Sequence, residues 1–209
     1  MSWLVTAKQY IPAVIGEEFG GGYFAGYISH TADGNPTHAL IVAPRATGES
    51  TLIWKTSDTA TAGTANDYDG VSNMSSIVAA GLADHPAAAF CNGLSIGGYT
   101  DWYLPSALEL EIAYFNLKPN TVTNGTNFGV NTYAVPLRAV NYTNSFPSKT
   151  FVDLFQEGNV EAFVGNRYWT SNTQSATTAN AVFFQSGLRG NFFKSTTSWP
   201  TRAFRRIAL

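Results

Sequence analysis

The chain has 209 residues, a formal net charge of −2, charged side chains at 12%, aromatic ones at 14%, and 19 glycines. So few charges beside so many apolar residues exclude a disordered chain, which needs low hydrophobicity and high net charge. The near-zero charge gives no ground for a nucleic-acid or anionic-membrane partner. The length fits one domain with an elaborate N-terminal part: a strand meander and loop over 1–73, integrated with a main domain over 74–209.

The first sixteen residues carry one Lys and no long apolar run, so neither a signal peptide nor a membrane span is expected there. Gly20-Gly21-Gly22 allows a tight backbone approach or a flexible joint. As a phosphate loop it lacks the following Lys-Ser/Thr and a helix. Tyr23–Ser29, His38–Ala43 and Thr51–Lys55 read as antiparallel strands, the first two separated by the turn signal Ala32-Asp33-Gly34-Asn35-Pro36. Asp67-Tyr68-Asp69-Gly70, with Asn73 after it, has the acids of a calcium loop but not the bidentate Glu, and reads as an Asx-type turn.

Met74–Leu94 reads as helical, broken near Gly81 and restarted at Asp84-His85-Pro86, with Ala89, Phe90 and Leu94 as the buried stripe. It contains Cys91, the only cysteine, which reads as a buried apolar thiol; no intrachain disulfide is possible. The stretch from Gly97 to Leu110 organises the chain. Pro105 keeps Leu104 extended, and Ser106 with Glu109 forms a capping box that starts a helix running to about Leu117. Leu108, Ile112 and Phe115 recur at helical spacing and should face the core. Asp101-Trp102, just ahead of the turn, should be pinned by hydrogen bonds because a buried Trp needs its N–H satisfied.

Residues 119–150, rich in Asn, Thr, Gly and Pro, read as a long surface excursion of the kind that serves function or interaction. Phe151–Phe155 is a short strand or helical turn. Then come a strand from Tyr168 through Trp169 to Ser171 and a strand–turn–strand over Ala181–Gln185, Ser186–Gly190 and Asn191–Lys194. After a polar loop through Trp199, one last strand runs from Thr201 to Ile207. Arg202, Arg205 and Arg206 are too few for a nucleic-acid patch, and one of them should pair with a buried carboxylate, for which Asp101 is the candidate. The fold expected is α+β, with two helices packed on a twisted, largely antiparallel sheet and long loops.

Several pieces occur together and in order: Ala88-Ala89-Phe90-Cys91-Asn92-Gly93-Leu94, Gly97 to Pro105, Glu109-Leu110, Tyr168-Trp169-Thr170-Ser171 and Arg202-Ala203-Phe204-Arg205-Arg206. As a set they resemble the bacterial and phage C-type-lectin-like domain typified by the C-terminal domain of a Legionella collagen-like adhesin. The resemblance spans about residues 74–207 and implies a C-type-lectin-like fold whose long loops carry the ligand face. The segments Gly20–Gly26 and His38–Pro44 are similar, more loosely, to segments that precede this domain in tailed-phage and prophage proteins. That context implies a virion component released by lysis. The Glu-Pro-Asn or Gln-Pro-Asp loop and Trp-Asn-Asp strand of calcium-dependent sugar-binding relatives are missing, as are the Cys pairs and His clusters of oxidising or iron-binding ones.

The expectation is thus a non-enzymatic virion protein of a tail fibre, baseplate or head, without metal or cofactor, binding a host-surface glycan or protein. The alternative is a decoration or assembly protein contacting other virion proteins, and a homo-oligomer is compatible with both. Uncharged polar and aromatic side chains around 172–199 suit sugar stacking and adaptable hydrogen bonding, which singles out Asn172, Gln185, Arg189, Asn191 and Trp199 as ligand-binding. Asp101, Trp102, Ser106, Glu109, Trp169 and Arg205 are assigned to structure. A glycan hydrolase would need two positioned carboxylates from among Asp101, Glu109, Glu111, Asp153, Glu157 and Glu161, and sequence spacing places no such pair.

Overall fold

A computed structural model describes residues 10–209; the apolar opening of the N-terminus, residues 1–9, lies outside them. The fold is α+β. In chain order it runs β1 (Glu18–Phe19), β2 (Gly22–Ile28), β3 (His38–Val42), the single turn α1 (Arg45–Gly48), β4 (Glu49–Leu52), α2 (Gly70–Ala80) and α3 (Pro86–Asn92). It continues with α4 (Ala107–Leu117), β5 (Ala134–Val135), β6 (Arg167–Thr173), β7 (Thr178–Phe183), β8 (Leu188–Phe193), β9 (Trp199–Arg202) and β10 (Phe204–Ala208). Among the described residues four helices therefore stand where two are expected.

The glycine triplet is a hairpin turn. Gly20 and Gly21 both have positive φ, +59° and +85°, and join β1 to β2 with Phe19 paired to Gly22. A two-residue loop of that hand matches the strand twist, and side chains disfavour it. β2 pairs with β3 and β3 with β10, while β5 adds to the far end of β2; every pairing is antiparallel. β4 does not continue this meander. It pairs with β9 in a two-stranded sheet, and β6-β7-β8 form a third. The expected last strand is two strands, because the chain breaks at Ala203, whose N–H donates to Gly48 O and whose carbonyl accepts from Ala43 N. One side of the break closes the β4 sheet and the other closes the five-stranded sheet.

α4 lies between layers, packed on β2 from one side and on β6 and β7 from the other. It is consequently buried all round from Ala107 to Tyr114, Glu109 and Glu111 included, and Phe115, expected in the core, is only half-buried. α2 starts earlier than expected, capped by Asp69, whose side chain accepts from Ser72 N, and ends at Gly81 as expected. The buried stripe of α3 is Ala87, Ala88 and Cys91 rather than Ala89, Phe90 and Leu94, because the short helix turns that face towards β4. No cap hydrogen bond comes from Asp84, which instead accepts from the Thr56 hydroxyl. Burial pushes the Cys91 thiol far up.

The corner ahead of α4 forms as a capping box: Ser106 Oγ accepts from Glu109 N at 3.4 Å and Glu109 Oε2 accepts from Ser106 N at 2.8 Å. Glu109 also accepts from Gly70 N at 3.1 Å and from the Tyr103 hydroxyl at 2.8 Å, so one buried carboxylate ties α4 to the start of α2. Trp102 is buried with its N–H given to Tyr99 O, not to Asp101. Asp101 does pair with Arg205, but its side chain is 55% exposed, which corrects the expectation of a buried carboxylate there. The buried acids under the C-terminal arginines are Glu161, 2.5 Å from Arg202, and Glu109, 3.9 Å from Arg206, which also holds the Asp69 cap at 2.7 Å. Trp169 donates its N–H to Leu52 O, joining β6 to β4.

Candidate ligand-binding hairpin

β7 and β8 form a hairpin whose turn, Phe184–Gly187, is shorter than expected, since β8 already begins at Leu188. Phe184 fixes the turn to the core: it is fully buried, stacks on Phe163 at 3.9 Å between centroids and meets Tyr114 and Tyr168. Gly187, at φ +71°, sits against the Tyr114 and Tyr142 rings with no room for a Cβ. The turn's Ser186 carbonyl accepts from Gly125 N, which docks the 119–150 excursion beside it.

That excursion is long and mostly exposed, yet anchored at two buried points. Lys118 Nζ donates to Val122 O and Asn124 Oδ1 and reaches Pro147 O, and Asn124 Nδ2 returns to the Thr143 and Pro147 carbonyls. Glu111 accepts from Asn131, Arg138 and Tyr142. Removing Lys118 from water lowers its pKa. The hairpin and its flanking loop are thus held from the core side, leaving their outer side chains to solvent.

Alternation along β8 divides those side chains. Arg189 and Asn191 stand on one face and Leu188, Gly190 and Phe192 on the other; Phe193, 57% exposed, follows Asn191 on the first. Gln185 is half-buried at the turn. Two of the five ligand residues expected from sequence are elsewhere. Asn172 is fully buried in β6, where its Oδ1 accepts from Ala107 N at 2.9 Å and the Thr170 hydroxyl at 2.8 Å, and its amide donates to Asp67 at 2.7 Å. It satisfies an N–H in the first turn of α4, which has no partner inside the helix. Trp199 is not in a loop but in β9, buried against Trp169 at 4.5 Å, with Phe192 edge-on at 4.3 Å.

The arrangement brings in residues that the sequence reading passed over. Arg167, the first residue of β6, lies over Phe183, Phe192 and Trp199 in a groove of about 160 Å³. Its only local signal is a cation immediately before Tyr168-Trp169. A second cluster joins His30, His38, Asp69 and Arg206. The imidazoles lie 4.5 Å apart; His30 Nε2 accepts from Arg206 at 3.3 Å, which puts the His30 proton on Nδ1, 4.0 Å from Asp69. Burial first, then Arg206, lowers both histidines, His38 to about 4. Burial works against Asp69, but the Ser72 N–H and Arg206 still hold its carboxyl below its ordinary value.

The acids of the loop that opens α2 are occupied. Asp67 accepts from Asn172, Asp69 caps α2 and Asn73 bonds to Asn66 and Ser171, while Asn66 accepts from Tyr68 N and Asp69 N in an Asx turn. Among the described residues no group of three or more His, Cys, Asp or Glu side chains is placed to hold a metal ion, and no helix is long and apolar enough to cross a membrane. No protein-family model matches the chain, and no curated protein matches it in sequence.

Proposed function

We propose that the chain is a non-enzymatic recognition module of a phage virion, with a C-type-lectin-like fold, that binds a host-surface glycan without calcium. The observation that carries this reading is the β7–β8 hairpin. Its turn is locked to the core by Phe184, while Asn191 and Phe193 are exposed and Gln185 and Arg189 half-buried beside them, which puts amide, guanidinium and aromatic chemistry on a rigid support. Rigid aromatic anchors beside adaptable polar groups suit glycan recognition, because the ring covers apolar sugar C–H faces and the amides read hydroxyls. The motif set shared with the C-type-lectin-like family supports it further. Fluorescently labelled protein should adsorb to susceptible bacterial cells, and Gln185→Ala with Asn191→Ala and Phe193→Ala should abolish adsorption without lowering the melting temperature. Full adsorption by the triple variant would sink the reading.

A second reading, a decoration or assembly protein of the virion, is favoured by a different surface. Val14, Phe146 and Phe151 are exposed, Phe151 at 93%, around a cleft that also takes in Phe115 and Val152. Apolar side chains exposed together mark contact surfaces. Electron microscopy of labelled particles separates the two readings: a lattice-matched copy number on the head supports decoration, and a fibre-tip position supports recognition.

A further inference from the structure

Most of the described cations have a partner. Arg45 pairs with Glu49, Arg138 with Glu111, Arg202 with Glu161, Arg205 with Asp101 and Arg206 with Asp69. Lys55, Lys118 and Lys194 turn inward onto backbone carbonyls, and Lys149 donates to Gln156. Among the described residues only the Arg167 and Arg189 side chains have neither a carboxylate nor another hydrogen-bond acceptor, and residues 1–9 carry no acid.

Arg167 occupies a built setting. Its guanidinium lies 5.0 Å from the Phe183 centroid, 5.0 Å from Phe192 and 5.4 Å from Trp199. Such contacts hold the cation in place and use none of its five N–H donors. Register puts Arg167, Phe183 and Leu188 in one cross-strand row, with Ala181 and Gly190 in the next row on the same face. Gly190 leaves the space into which the Phe192 ring folds. The result is a cleft with a small-residue floor, aromatic walls and one cation. Arg189 also borders it, but alternation sends that side chain to the other face, where its guanidinium lies 5.7 Å over Phe128.

We infer that this cleft binds the anionic group of an acidic glycan, with Arg167 gripping the oxyanion and the Phe183 and Phe192 rings lying against the sugar. A planar guanidinium with free donors suits carboxylate or phosphate, which it takes through two parallel hydrogen bonds. The low-dielectric walls strengthen that attraction relative to an open surface. The inference rests on the glycan-recognition reading, places the anion contact on the face of the hairpin opposite Arg189, Asn191 and Phe193, and adds the charge class of the ligand.

The test is an NMR titration of the ¹⁵N-labelled chain with sodium glucuronate, glycerol 1-phosphate and glucose. Saturable shifts at the Arg167 Nε–H and the Gly190 amide are expected with an anion and not with glucose. Which anion acts separates a carboxylated glycan from a phosphorylated one. Arg167→Gln should weaken binding at least about tenfold, Arg167→Lys should recover part of it, and Arg45→Gln, at a cation paired with Glu49 away from the cleft, should leave it unchanged. Absence of shifts with both anions, equal shifts with glucose, or equal loss in Arg45→Gln would overturn the inference. Cell adsorption is scored separately. Anion binding without adsorption removes the host-recognition reading and keeps the site, whereas adsorption without anion shifts removes the site alone.

Discussion

Two carboxylates eight residues apart do different work, and exposure decides which. Asp101 meets Arg205 at the surface, so Asp101→Ala should cost less than about 1 kcal/mol in urea unfolding, as exposed ion pairs do. Glu109 is fully buried and serves two backbone N–H groups and the Tyr103 hydroxyl, with Arg206 close by. Glu109→Ala strands all of them and should cost about 3–5 kcal/mol in the same measurement. Asn172→Ala should cost about 2 kcal/mol through the Ala107 N–H it leaves unpaired, and the melting temperature should fall with it. The capping box was legible because its partners are three residues apart. The role of Asn172 was not, since its partners Asp67 and Ala107 lie far away in sequence and nothing local marks an Asn in a strand as buried.

Elements show the same division between local and distant causes. The start of α4 is written in Pro105, Ser106 and Glu109, but burial of its circumference from Ala107 to Tyr114 follows from a sheet on either side of it, and nothing local marks Glu111 as buried. The split between β9 and β10 falls at Ala203, where no Gly or Pro marks a break in the apolar pattern. Within the hairpin, Gly187→Ala combines a left-handed backbone with a clash against Tyr114 and should destabilise by about 2–4 kcal/mol, checked by thermal unfolding. The end of the β2–β3 hairpin should respond to acid. His30 and His38 have folded pKa values below the unfolded value of about 6.5, so the unfolded chain binds more protons and stability falls as pH drops from there towards about 4. Replacing both by Asn should reduce that slope in urea midpoints taken from pH 7 to 4, leaving the part due to His85, whose pKa burial also lowers; an unchanged slope would show that the pair does not contribute to it.

The three sheets are joined through residues far apart along the chain. β3 is completed by β10 and β4 by β9, so the first sheet stays incomplete and the second does not exist until residues 38–52 meet residues 199–208. Strand identities could be read from alternation, but partner choice could not, which is why β4 was assigned to the wrong neighbour. The proposed ligand surface shares that limit: the β7–β8 hairpin was visible as strand, turn, strand, whereas the Arg167 cleft needs β6 laid beside β7 and β9 brought beneath it. The closure of β10 onto β3 also bears on what happens when the chain is cut. The exposed excursion over 119–150 lies between the paired strands, and a protease nick within it would leave β3–β10 and β4–β9 intact. The two fragments should therefore co-migrate under native conditions and separate only in denaturant, as a non-covalent heterodimer sharing one core.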